Sequence, residues 1–166
     1  MNRKRYETTV RFFSENKIAN TFLLIIYKAL PYIVFVAYPA LLIYKFFEIG
    51  YGIEWQKLIL VPLGVLILVT VMRVVINEER PYEKYGMDSV FHKTTVRKSM
   101  PSRHTASAYI IAMTFLSVNL PLGIVALCFA SMIEASRVMA GAHFIRDVVV
   151  GALIGITAGV VFYFIL

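Results

Sequence analysis

The chain has 166 residues, 59% of them hydrophobic and 16% charged, with a net charge of +7. So much apolar content on so few charges excludes an ordinary soluble domain of this length and predicts a chain that lives in a bilayer. The cations gather in the N-terminal segment (Arg3, Lys4, Arg5, Arg11, Lys17) and between Arg73 and Arg103. Neither group is an aromatic-interleaved basic run, which argues against nucleic acid as a partner and for anionic lipid headgroups or an anionic lipid substrate.

In chain order, residues 3 to 16 mix cations with Tyr6, Val10, Phe12 and Phe13, the composition of a short helix lying on a membrane surface, so 1–17 reads as an interfacial basic segment. Nothing in it resembles a short apolar core followed by a small-residue cleavage site, and the spans themselves are expected to direct insertion. The long apolar region from Ile18 to Phe47 contains Lys28, Pro31 and Pro39. Proline removes a helical hydrogen bond, so a kink or break near Pro31 is expected, and whether the region is one helix or two pieces stays open. Gly50, Gly52 and Trp55 mark a turn and an interfacial anchor before a second span running to about Asn77.

Residues 81–103 form a polar connection, long enough in a compact bundle to be functional, and it reads as a cap loop. Asn119-Leu120-Pro121-Leu122-Gly123 is a tight turn between two further spans, and Gly141 interrupts the chain before the last. Apolar stretches at Ala29–Tyr44, Leu58–Met72, Thr105–Asn119, Leu122–Ile133 and Val148–Leu166, lengthened by flanking polar residues, approach the roughly 20 residues that cross about 30 Å. The expectation is an all-α integral membrane bundle of about five transmembrane helices plus an N-terminal interfacial helix, forming one domain over 1–166. Cys128 is the only cysteine, so no intrachain disulfide is possible, and it reads as a small core residue.

Three polar clusters interrupt this apolar chain: Arg73 with Arg80-Pro81, then Pro101-Ser102-Arg103-His104, then Ser136-Arg137 with His143 and Asp147. Ionisable residues at membrane depth mark function by default. The first cluster closes span two and the second opens span three; the chain crosses and returns before Arg137, so parity brings all three to one face. Guanidinium forks match phosphate oxygens, a serine hydroxyl adds a donor, and two imidazoles can divide nucleophile and acid duties. These residue types point to a phosphate held between His104 and His143.

The clusters resemble, in order, the three signatures of the phosphatidic acid phosphatase type 2 family: Lys, six residues, Arg-Pro; Pro-Ser-Gly-His; and Ser-Arg, five residues, His, three residues, Asp. The third matches without departure, whereas Arg73 stands for the usual lysine and Arg103 for the usual glycine. The resemblance implies hydrolysis of a lipid phosphate monoester or diphosphate through a phosphohistidine. It assigns His143 as nucleophile, Asp147 as its orienting carboxylate and His104 as general acid. Arg73, Arg80, Arg137, the Ser102 hydroxyl and the backbone N–H of Arg103 would bind the phosphate. Arg73 keeps the charge of lysine while replacing a point donor with a planar fork. The Arg103 side chain either points outward or adds a contact suited to a diphosphate.

Other readings accompany these. His143 and Asp147, four apart, also suit a structural pair or two metal ligands, but neighbouring arginines repel a cation and no carboxylate cluster is at hand, so neither metal nor cofactor is expected. Arg73 snorkelling to headgroups is the plain alternative to phosphate binding. Glu134, three residues before Arg137, reads as its helix-face partner, Glu78 and Glu79 as solvated or paired with loop cations, and His92 has no assigned role. A non-catalytic lipid-phosphate binding or transport protein would need the cations but not both imidazoles. The resemblance places the site on the extracytoplasmic face of the cell membrane, whereas the basic N-terminus favours the cytoplasm, a conflict if five spans are present. Which lipid is used and the oligomeric state are not legible.

Overall fold

The structure is a computed structural model that describes residues 2–166; all regular elements among them are helical. Helix α1 (Arg3–Glu15) is capped by the Asn2 side chain, which accepts from the Arg5 N–H at 3.0 Å. Asn16 ends it and caps α2 (Lys17–Leu24) in the same way, accepting from the Ala19 N–H at 3.0 Å. A π turn over Ile25–Ala29 joins α2 to α3 (Leu30–Ile49). Pro31 follows in the first turn of α3, and because the helix runs on without a break its missing N–H withholds a helical bond from the carbonyl four residues back, that of Tyr27. The region continues as one helical run from Lys17 to Ile49, and the expected break is a π turn just ahead of the proline.

Gly50, at φ 71°, ends α3, and α4 (Ile53–Ile76) returns antiparallel to it. Trp55 Nε1 donates to the Leu42 carbonyl at 2.9 Å and the Tyr38 hydroxyl to the Leu58 carbonyl at 2.6 Å, fastening the hairpin. Asn77, at φ 48°, stops α4, and α5 (Pro81–Tyr85) follows. Helix α6 (Arg103–Val118) is separated from α7 (Leu120–Met139) by Asn119 alone, whose side chain caps α7 at the Leu122 N–H. Helix α8 (Ile145–Val160) ends in a second π turn, Val161–Ile165.

Helix α6 is the axis of the bundle, packed by α3, α4, α7 and α8. Glycines on α8 allow its closest approach: a Cβ at Gly151 would stand 2.7 Å from the Ser102 carbonyl oxygen, and one at Gly155 2.7 Å from that of Ala106. Small residues four apart let helix backbones meet, which is how membrane helices associate without a hydrophobic driving force between them. Val69, Ile110 and Met113 fill the α4–α6 contact, while Phe35, Phe47, Leu60, Leu122 and Leu153 face outward as a lipid-compatible belt.

Four runs are long and apolar enough to cross a membrane, at 17–49, 53–85, 120–139 and 145–165. Helix α6 has 16 residues, about 24 Å of rise. Buried among its neighbours, it carries little lipid-facing surface, so the fifth expected span is a short central helix. Two smaller expectations are corrected. Cys128 is exposed, on the outer side of α7 and not in the core. Glu134 accepts a hydrogen bond from the Tyr109 hydroxyl at 2.8 Å, while Arg137 turns away toward Tyr27.

Candidate active site

Helix ends gather the site. Arg73 lies in the last turn of α4, Arg80 just before α5, Ser102 at the N-cap of α6 with His104 in its first turn, Arg137 in the last turn of α7, and Asp147 in the first turn of α8. The Ser102 N–H donates to the Asp147 carbonyl at 2.9 Å, which stitches the starts of α6 and α8 together. Arg73, Arg80, Ser102, Arg137, His143 and Asp147 are all buried, and Arg103 and His104 are exposed on the open side.

The loop 140–144 carries His143. The Arg137 carbonyl accepts from the N–H groups of both Ala142 and His143, at 3.0 and 3.3 Å, so the loop is wound on the end of α7. Asp147 faces the ring: its Oδ2 lies 3.6 Å from His143 Nδ1 and accepts from the Phe144 N–H at 3.0 Å. This leaves Nε2 as the ring nitrogen turned away from the carboxylate. Burial holds the His143 imidazole below its ordinary pKa, and the charges of Arg80 and Arg73 push the same way against the opposing pull of Asp147. The ring is therefore neutral at pH 7, with a lone pair to offer.

Three further residues that sequence reasoning passed over shape this centre. Ser99, fully buried, donates to Asp147 Oδ2 at 2.5 Å, with its hydroxyl 3.4 Å from His143 Nδ1. Tyr27 supplies its carbonyl to Arg137 Nη2 at 3.1 Å and its ring to the guanidinium, whose Cζ lies 3.9 Å from the centroid. That carbonyl lies in the π turn, where the helical hydrogen-bond ladder is rearranged. Tyr6, 0% exposed, donates to the Gly141 carbonyl at 3.2 Å and stacks toward Tyr85, which in turn meets Phe144. Gly141 has φ 71°, and a Cβ there would stand 2.7 Å from the Tyr6 hydroxyl, so the loop needs glycine on both counts. The first helix thus underpins the histidine loop.

The 81–103 connection is tied down. Arg80 Nε donates to the Arg97 carbonyl at 3.1 Å and Nη1 to the Ala142 carbonyl at 3.3 Å. Glu83 accepts from the N–H groups of Arg80 and Arg97, and the Tyr82 hydroxyl donates to the Thr95 carbonyl. Glu78 pairs with Arg146. The Ser102 hydroxyl accepts from Thr105 Oγ1 at 3.0 Å, which leaves its own hydrogen for a ligand beside the α6 N-terminus.

A cleft of about 710 Å³ opens from His104. Its polar end holds Lys28, Lys93, Arg103, His104 and Arg137, and its apolar end Val34, Phe35, Leu66, Ile111 and Ile133. His104 lies within electrostatic reach of His143, Arg137, Lys93 and Arg103. Among the described residues no cluster of three or more His, Cys, Asp or Glu side chains suits a metal ion. The cationic groups and the α6 N-terminus are the groups available to meet phosphate charge.

Guanidinium groups, a helix N-terminus and two imidazoles thus gather at one end of an apolar helical bundle, the set of groups that suits a phosphate ligand. Residues 54–166 match the family model described as the PAP2 superfamily, and the chain belongs to that superfamily, as its motifs implied. Its fold is similar to that of a crystal structure of LpxE from Aquifex aeolicus, with TM-score 0.69 and 25% sequence identity over 97% of this chain and 93% of that one. The family match begins in α4, so Tyr6 and Tyr27 lie outside it, although the structural similarity includes their helices.

Proposed function

We propose that the chain hydrolyses a lipid phosphate, monoester or diphosphate, without a metal and through a phosphohistidine on His143. The observation that carries this reading is the buried His143 ring with Nδ1 against Asp147, in a centre that also gathers Arg73 and Arg80, with His104 nearby at the mouth of a cleft. His143 Nε2 attacks phosphorus as the bond to the leaving oxygen breaks, and His104 gives that oxygen its proton. Water then attacks the phosphohistidine, His104 takes the proton, and phosphate leaves. Asp147 orients the ring and stabilises the imidazolium character that develops. Arg73, Arg80, Arg137, the Ser102 hydroxyl and the Arg103 N–H neutralise the phosphoryl oxygens, and preorganised donors of this kind are commonly the largest catalytic contribution. The apolar end of the cleft receives the lipid tail.

Phosphate release by the purified protein in detergent, with and without chelator, tests the reading. His143→Ala is expected to abolish release and chelator to leave it unchanged. Undiminished release by the variant would leave only lipid-phosphate binding or transport, for which both imidazoles are unnecessary.

The family resemblance favours the extracytoplasmic face of the cell membrane for the site. Tyr6 reaches Gly141, so α1 and its cations share that face, against the positive-inside tendency. Labelling of Thr8→Cys by a membrane-impermeant maleimide in intact cells supports this placement; protection until the cells are lysed opposes it.

A further inference from the structure

The charge pattern of the cleft exceeds what a simple monoester requires. Lys28, Lys93, Arg103 and Arg137 line it, no carboxylate does, and the lining includes His104 but not His143. Tyr27 draws two of the cations onto one ring, Arg137 at 3.9 Å and Lys93 at 5.6 Å from the centroid. Like charges drawn to one ring repel one another, and a ligand carrying negative charge relieves that repulsion. Arg137 is 4% exposed, and its Nε is buried without a hydrogen-bond partner. A desolvated donor of this kind is satisfied only when an acceptor arrives.

Because His104 opens onto the cleft and His143 does not, the cleft is the compartment of the leaving group. A neutral alcohol leaving group needs one proton and no countercharge, whereas an anionic one needs cations beside it. We propose that the polar end of the cleft is a second anion site, on Lys28 and Lys93 beside Tyr27 with Arg137 shared between it and the transferred phosphoryl group, which holds a phosphate that stays on the lipid and makes a lipid diphosphate the preferred substrate. His143 attacks the terminal phosphorus, the bond from that phosphorus to the bridging oxygen breaks, and His104 protonates the bridging oxygen. The product leaves as a lipid monophosphate, and water regenerates His143. This assignment rests on the phosphatase reading above.

The test compares farnesyl diphosphate with farnesyl monophosphate in the same detergent, using the wild type, Lys93→Gln, Lys28→Gln, Lys93→Arg and His143→Ala. The ratio of kcat/KM for diphosphate over monophosphate is expected to fall roughly tenfold in each Gln variant, the scale of one lost charge-assisted hydrogen bond, and to be retained in Lys93→Arg. A ratio unchanged in both Gln variants overturns the second anion site while hydrolysis itself, shown by loss in His143→Ala, stands. Absence of turnover of either lipid by the wild type overturns the phosphatase reading and the anion site with it. Inorganic phosphate distinguishes the remaining source: if it alters wild-type monophosphate turnover and Lys93→Gln removes that sensitivity while leaving the diphosphate-to-monophosphate ratio at the wild-type value, the site takes free phosphate and its assignment to the substrate is overturned.

Discussion

Ser99→Ala isolates the hydroxyl beneath the histidine–carboxylate pair. Ser99 Oγ donates to Asp147 Oδ2 at 2.5 Å inside a fully buried pocket, and its loss leaves that oxygen with the Phe144 N–H at 3.0 Å and the imidazole at 3.6 Å. A hydrogen bond to a charged group contributes about 1.5–3 kcal/mol, and if this appears wholly in the barrier it amounts to roughly 10–100-fold in kcat. Ser99 does not line the substrate cleft, so KM should stay within about twofold, the pattern of an interaction strengthened in the transition state. Because Ser99 acts through Asp147, the double variant with Asp147→Asn should lose little more than Asp147→Asn alone. The assay is steady-state phosphate release on protein with an unchanged detergent melting curve. A kcat for Ser99→Ala within about twofold of wild type, or full additivity with Asp147→Asn, would refute the reasoning.

Gly155→Val sets a side chain against the Ala106 carbonyl and Ile110 N–H, backbone atoms that cannot rotate aside, so it should destabilise the bundle by about 1–3 kcal/mol, whereas Gly64→Ala, with open space around it, should be neutral or slightly stabilising; thermal unfolding in detergent measures both. Tyr6→Phe removes the bond to Gly141 and should cost about 0.5–1.5 kcal/mol, while Tyr6→Ala also strips the ring from beneath the loop and should lower kcat, read as phosphate release. The His143 ring attacks as the neutral base, and burial with the Arg80 and Arg73 charges lowers its pKa, so the acid limb of kcat/KM should lie below the ordinary imidazole value of about 6.5. Arg80→Gln removes one of the lowering charges and should move that limb to higher pH; a limb that stays in place or moves lower opposes the assignment.

The gathering of the candidate residues was legible because the chain repeats a simple geometry: each cluster sits at a helix end, and parity alone brings such ends to one side. Arg73, His104, Arg137, His143 and Asp147 needed no more than motif order and a count of crossings. Ser99 was not legible, since a lone serine in a polar connection looks like any solvated residue until the fold buries it against Asp147. Tyr27 was hidden for a different reason. Its carbonyl meets Arg137 across 110 positions, through a π turn that no residue pattern announced, and local helical spacing pointed instead to Glu134. Cys128 was misread from its place inside an apolar run, because an apolar helix facing lipid has the same composition on its inner and outer sides. The fifth expected span lies where it was placed but is short: α6 is shielded by its neighbours, so it needs neither the reach nor the continuous apolarity of a lipid-facing helix.

The most direct measurement is rapid quenching of a single turnover with substrate labelled in the transferred phosphate, followed by mapping of the modified peptide. The account predicts an acid-labile, base-stable phosphoryl group on His143, accumulating in His104→Ala when the substrate carries a leaving group that needs no proton, and absent from His143→Ala. Label on any other residue, or turnover at the wild-type rate with no phosphoenzyme formed, would contradict it.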